Sequence, residues 1–208
     1  MPGPGISAEP GTGVRPAEAV RVGAAVPRRD YGWLRALGRR VLKAMRWRTE
    51  GEFADQPRLV VAIAPHSSNW DFVVGAAYLF VLGVRVAFIG KHTLFRGPLG
   101  IFMRWMGGIP IDRSQPEGVV DAMAAAFKRN EQLWLVIAPE GTRRQGAEFK
   151  SGFYRIAQAA GVPVFPVYLN YRRRTTGFLP VLAADMEVAV GVEQVRQLLH
   201  SHGARRHE

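Results

Sequence analysis

Cysteine is absent from all 208 positions, which excludes disulfides, thiolate zinc sites and a cysteine nucleophile. That usage fits a reducing cytosol. Acidic residues are scarce: 17 Asp and Glu stand against 28 Lys and Arg, for a formal net charge of +11. Such a surface is expected to attract anions, whether nucleic acid, anionic lipid headgroups or phosphorylated substrates. A long apolar run is missing too. The uncharged, strongly apolar stretch Phe72–Val84 has 13 residues before Arg85 interrupts it. A spanning helix needs about 20, so a buried core helix is expected here. The opening MPGPGISAEPGTGVRPAEAV carries neither a basic patch nor an apolar core of the kind a signal peptide uses, and no export signal is expected. What is present is a composition 48% hydrophobic and 22% charged, enough for one domain with a sizeable core.

Residues 1–29 are rich in Gly, Pro and Ala without periodicity and read as a disordered tail. The pattern changes at Asp30. In DYGWLRALGRRVLKAMRWR, residues Trp33, Leu34, Leu37, Val41, Leu42 and Met45 recur at helical spacing, with Arg35, Arg39, Arg40, Lys43, Arg46 and Arg48 largely between them. Residues 30–49 are therefore expected to form a basic amphipathic helix on an anionic membrane surface. Beyond it, over residues 50–200, short β-branched runs alternate with helical segments. RLVVAIA, VRVAFIG, GIPIDR, LWLVIAP and VPVFPVYLN read as strands, and Asp71–Leu82, Leu99–Met106, Gly118–Asn130 and Ser151–Ala160 as helices. MEVAVG, near residue 186, reads as a weaker strand and VEQVRQLLH as a short helix, with 201–208 as a C-terminal tail. The two prolines of VPVFPVYLN suit an edge strand or a bulge. Alternation of this kind specifies a single α/β domain, its sheet covered by helices and its functional residues beyond the strand ends.

Three strand ends finish in chemically capable groups. The first, APHSSNWDF, places His66 and Asp71 five positions apart. On one continuous helix that spacing would point the side chains about 140° apart. They can meet only if His66 precedes the helix and Asp71 lies in its first turn. Pro65 closing the strand and a Ser68-x-x-Asp71 capping pattern support that layout. The same pattern also describes an ordinary capping carboxylate beside an ordinary turn histidine. In the catalytic reading His66 is a general base and Asp71 orients it. The second strand end, GGIPIDRS, delivers Asp112 and Arg113, whose guanidinium suits a bidentate phosphate contact or a plain surface turn. Lys91, after the neighbouring VAFIG, can add positive charge. The third, APEGTRR, gathers Glu140, Gly141, Thr142 and Arg143 in one tight turn.

Taken in order, H-x4-D at His66–Asp71, G-x-P-I-D-R at Gly108–Arg113, P-E-G-T-R at Pro139–Arg143 and V-P-V-x-P-V at Val162–Val167 resemble the glycerolipid acyltransferase family, which contains the 1-acylglycerol-3-phosphate acyltransferases. The resemblance covers about residues 58–170. It implies a mixed, mostly parallel sheet flanked by helices, and acyl transfer from acyl-CoA or acyl carrier protein to a hydroxyl of a lysophospholipid-like acceptor. By the same resemblance His66 takes the hydroxyl proton, Asp71 orients His66, Arg113 contacts acceptor phosphate, and Glu140–Arg143 shape the acceptor site. The implied chemistry uses no metal, no cofactor beyond the thioester co-substrate and no covalent enzyme intermediate. Pro65 stands where the family often has Asn, and Arg144 where it often has Ser. SNWDF is similar to a divergent subgroup, and these departures bear on the acceptor more than on the reaction.

Two other functions fit parts of the pattern. A thioesterase or lipid hydrolase would use the same His/Asp pair to activate water. A nonenzymatic basic module would bind membranes or nucleic acid, although no nucleic-acid motif such as RNP1 or a zinc finger is present and no nucleic acid partner is expected. The expected location is peripheral, on the cytoplasmic face of a membrane.

Overall fold

The computed structural model describes residues 13–65, 68–111, 116–140 and 148–202. After a 3-10 turn at Ala17–Ala19 the chain forms α1 (Leu34–Ala44), β1 (Arg48–Gly51), β2 (Arg58–Ala64), α2 (Asn69–Leu82) and β3 (Ala87–Lys91). A second 3-10 turn, His92–Phe95, leads to α3 (Gly97–Trp105), β4 (Gly108–Ile111), α4 (Pro116–Arg129) and β5 (Leu133–Ile137). The chain closes with α5 (Gly152–Ala160), β6 (Val164–Asn170), β7 (Thr175–Phe178) and α6 (Val188–Ser201).

The strands make one seven-stranded sheet in the order β1-β7-β6-β2-β5-β3-β4. β6, β2, β5, β3 and β4 run parallel, and only the β6–β7 pairing is antiparallel. Five strands therefore end at the same edge of the sheet, at Ala64, Lys91, Ile111, Ile137 and Asn170. Side chains alternate between the two faces with period two. Leu59 and Val61, Trp134, and Phe165, Val167 and Leu169 face a core shared with α1, α2 and the N-terminal segment. Val60, Ala62 and Ala64, Leu135, and Val164 and Tyr168 face the second core, under α4, α5 and α6. Both faces are covered, which is why the central strands read as near-continuous apolar runs.

No described helix is long and apolar enough to cross a membrane. The helix α2 takes up the run that starts at Phe72 as far as Leu82 and is a core helix, with Val74, Ala77, Tyr78, Val81 and Leu82 buried. It begins with Ser68 as N-cap in a capping box with Asp71 and ends at Gly83 in the left-handed region.

Four elements differ from the sequence expectation. Residues 13–29, expected to be tail, pack on the body. Ala17, Val20 and Val26 are buried in the first core, and Arg15 exchanges backbone hydrogen bonds with Thr49 at 2.8 and 2.7 Å. Isolated small apolar residues, placed without a period, do this. The apolar stripe of α1 is largely spent on the protein itself: Leu42 is buried, and Val41 and Met45 pack against the first core. A Cβ at Gly38 would lie 2.8 Å from the Ala77 carbonyl oxygen, so this glycine lets α1 and α2 close on each other. Trp33 and Leu37 stay exposed. MEVAVG is not a strand; Glu187 caps α6, its carboxylate accepting from Ala189 N (3.1 Å) and Val190 N (3.4 Å). Finally, β6 lies inside the sheet despite its proline. Val164 and Leu182 bond reciprocally at 2.8 Å, and the Pro166 carbonyl accepts from Leu179 N. By strand alternation the Pro166 nitrogen faces the gap between those two contacts, past the end of β7, where no ladder donor is needed.

Candidate active site

Asp71 is the best-defined polar group at the sheet edge where the five strands end. It sits in the first turn of α2, where the sequence places it, and is 3% exposed. One carboxylate oxygen, Oδ2, accepts the Ser68 backbone N–H at 2.7 Å. The other, Oδ1, accepts a short hydrogen bond from the Tyr171 hydroxyl. Ser68 Oγ accepts from Trp70 N at 3.0 Å, which fixes the turn leading into the helix. The helix dipole adds partial positive charge at the same place. Asp71 is thus a buried carboxylate, rigidly aimed and embraced by donors. His66 lies outside the described residues, on the two-residue link between Pro65 and Ser68.

Tyr171 was not legible as a site residue. It follows β6 directly, and β6 pairs with β2 through Ala64↔Tyr168, so the residues just after both strands share one edge. Its ring packs edge-on against Trp47 with centroids 5.0 Å apart, which ties the site to the segment after α1. The signal was positional: a polar aromatic just past a strand adjacent to the His/Asp strand.

The other expected residues occupy neighbouring strand ends. Glu140 follows β5, the neighbour of β2 on the other side, and is half-buried. The Pro139 carbonyl accepts from Lys150 N at 2.9 Å and anchors that turn. Lys91 is exposed at the end of β3. Arg113 follows β4 by two residues and, like Gly141, Thr142 and Arg143, lies outside the described residues. In the sheet β4 is three strands from β2, roughly 14 Å at the usual interstrand spacing. The strand order therefore sets the ends of β6, β2, β5, β3 and β4, the strands that lead to these residues in sequence, in one row. Among the described residues no group of three or more His, Asp or Glu is arranged to hold a metal.

An acyltransferase family model matches residues 46–170, from the end of α1 to the end of β6, which is more than half of the chain. The chain belongs to the acyltransferase family. The chain is 31% identical over 155 residues to the 1-acyl-sn-glycerol-3-phosphate acyltransferase of Salmonella typhimurium, covering 66% of this chain and 61% of that one. The Escherichia coli K12 enzyme of the same name is 30% identical over the same length and the same shares. A chloroplastic 1-acyl-sn-glycerol-3-phosphate acyltransferase of Brassica napus is 33% identical over 116 residues, 52% of this chain and 32% of that one. The chain thus spans about three-fifths of the length of the bacterial relatives. In three dimensions it superposes on the 1-acyl-sn-glycerophosphate (LPA) acyltransferase PlsC of Thermotoga maritima with a TM-score of 0.58. The superposition covers 81% of this chain and 76% of that one, at 18% identity, so the two share a fold.

Proposed function

We propose that this acyltransferase moves a fatty acyl group from a thioester, acyl-CoA or acyl carrier protein, to a hydroxyl of a lysophospholipid-like acceptor. The observation that carries the reading is Asp71: a buried carboxylate held by the Ser68 N–H and the Tyr171 hydroxyl, in the first helical turn after the strand that leads to His66. A carboxylate fixed this way suits the partner of a general base, because it keeps its charge and direction when the imidazole becomes cationic.

In this mechanism His66 takes the proton from the acceptor hydroxyl as its oxygen attacks the thioester carbonyl. The tetrahedral intermediate collapses with cleavage of the C–S bond. The imidazolium returns its proton to the departing thiolate, giving a new ester and a free thiol. Asp71 stabilises the imidazolium between the two transfers. Lys91, at the end of β3, and Arg113, two residues after β4, meet the acceptor phosphate, and Glu140, Gly141, Thr142 and Arg143 shape the acceptor site. The protein works on the cytoplasmic face of an anionic membrane, where such acceptors reside, and the exposed cations Arg39, Arg40 and Lys43 of α1 hold it there.

Incubation with labelled acyl-CoA and lysophosphatidic acid, followed by mass spectrometry of the lipids, tests the reading. Wild-type protein should form the diacyl product, and His66→Ala should lower the rate by about 10²–10⁴-fold. Free fatty acid as the sole labelled product would assign hydrolysis instead. A His66→Ala rate within about threefold of wild type would remove His66 from the chemistry.

A further inference from the structure

The helix α3 is apolar on both sides. Gly100 and Met103 face inward and are buried. The opposite side carries Ile101, which is 74% exposed, Leu99 at 54%, and the less exposed Phe102 and Trp105. A water-facing surface would normally be polar here, and a helix hydrophobic all round needs an apolar neighbour on each side. No acidic residue occurs anywhere from Phe72 to Ile111, or from Tyr31 to Thr49. Around the apolar face stand exposed Lys91, Arg96 and Arg104 on its own segment.

The two cationic stretches adjoin. Arg29 Nη1 donates to the Trp105 carbonyl at 2.5 Å, and its guanidinium lies 4.3 Å from the centre of the Trp105 ring. The Tyr31 ring meets the same indole at 5.9 Å. Just beyond Tyr31, Trp33 is 75% exposed at the start of α1. From there α3 leads to the other end of the sheet, since its first turn follows β3, whose last residue, Lys91, lies on the edge that holds Asp71.

We infer that the exposed face of α3 inserts into the headgroup–acyl boundary of an anionic bilayer, and that α1 supplies charge there more than apolar depth. Charge selects this occupant. A second copy of the chain docked through the same face would bring Lys91, Arg96 and Arg104 against their own counterparts, a repulsive pairing. Anionic headgroups neutralise those cations while acyl chains take up Leu99, Ile101 and Phe102. The proposal refines the membrane placement above and is independent of the chemistry assigned to His66. Because α3 starts near the candidate site, insertion would hold that edge of the sheet close to the lipid surface.

Flotation of the full chain with vesicles of phosphatidylcholine, alone or mixed with phosphatidylglycerol, tests it. Leu99→Ser/Ile101→Ser changes two solvent-exposed side chains, so its melting temperature should match wild type. Its affinity for the anionic vesicles should fall about 10- to 100-fold, with an unchanged salt dependence. Arg39→Gln/Arg40→Gln should instead flatten the salt dependence. Vesicle binding needs no catalysis, so it reads the proposal even for a protein inactive on every acceptor. Equal vesicle binding by wild type and Leu99→Ser/Ile101→Ser would overturn the inference. So would a wild-type dimer that this variant splits without loss of vesicle binding.

Discussion

Asp71→Asn separates a catalytic carboxylate from a capping one, because the structure lets both costs be worked out. The amide oxygen can still accept the Ser68 N–H, now 2.7 Å from Oδ2, and the amide NH2 can donate to a reoriented Tyr171 hydroxyl. Shape and both contacts survive. What goes is charge: up to about 1 kcal/mol of helix-dipole interaction, and the difference between charged and neutral hydrogen bonds, about 1 kcal/mol more. A loss of about 2 kcal/mol lowers the melting temperature of a domain this size by roughly 4–8 °C. A typical domain then remains essentially all folded at 25 °C. If Asp71 orients and stabilises the His66 imidazole, the rate should fall by about 10⁴, equivalent to about 5.4 kcal/mol. The kinetic loss thus exceeds the stability loss by about 3 kcal/mol. The assay is kcat for acyl transfer at 25 °C beside a thermal melt of the same preparation. Tyr171→Phe should fall between wild type and Asp71→Asn in rate, since it withdraws one donor and keeps the charge. An Asp71→Asn protein that melts as expected yet turns over within about threefold of wild type would leave Asp71 a helix cap and nothing more.

Two further outcomes are expected. Arg113→Lys should raise the KM for a phosphate-bearing acceptor with little change for the acyl donor, because lysine cannot reproduce a planar bidentate contact; equal acceptor KM values would make Arg113 structural. The Tyr78 hydroxyl, buried against Arg48 O at 2.7 Å and Thr49 Oγ1 at 3.0 Å, is pushed up to about 12 chiefly by desolvation. The folded state therefore holds this proton more tightly than the unfolded chain. The stability it gives is complete below about pH 10 and is lost as pH rises towards 12, amounting to about 3 kcal/mol. Urea melts should show the stability difference between wild type and Tyr78→Phe changing by that amount across the window, and a constant difference would contradict the assignment.

The parallel centre of the sheet was legible because both its faces are buried, which forces the apolar runs of β2, β5 and β6. The edge was not. β1 is RTEG and β7 is TTGF, four residues each and rich in polar side chains; their buried side chains are Thr49, Thr175 and Thr176, with Phe178 the one apolar member. VAVG misled through its β-branched residues, where the stronger evidence was Glu187, a carboxylate placed to cap two amides. For α1 the periodicity was right but mute about what the stripe faces, and α2 claims most of it. On the site, the capping box gave Asp71 its place directly. Tyr171 follows a strand and stands 100 residues from Asp71 in sequence, and only the strand order makes it a neighbour.

The pairing of β1 with β7 has a consequence for how the chain is made. Trp47 Nε1 donates to Thr176 Oγ1 at 2.7 Å across 129 residues of sequence. A ribosome adding about 5–20 residues per second leaves that indole without its partner for roughly 6–26 s. Over the same interval Ala17, Val20 and Val26 wait for Phe165, Val167 and Phe178, the far half of the core they join. The segment Ala17–Trp47 thus leaves the ribosome well before the strands that complete its packing. A nascent chain stalled before β7 lacks both the strand that pairs with β1 and the Phe178 side chain that joins this core.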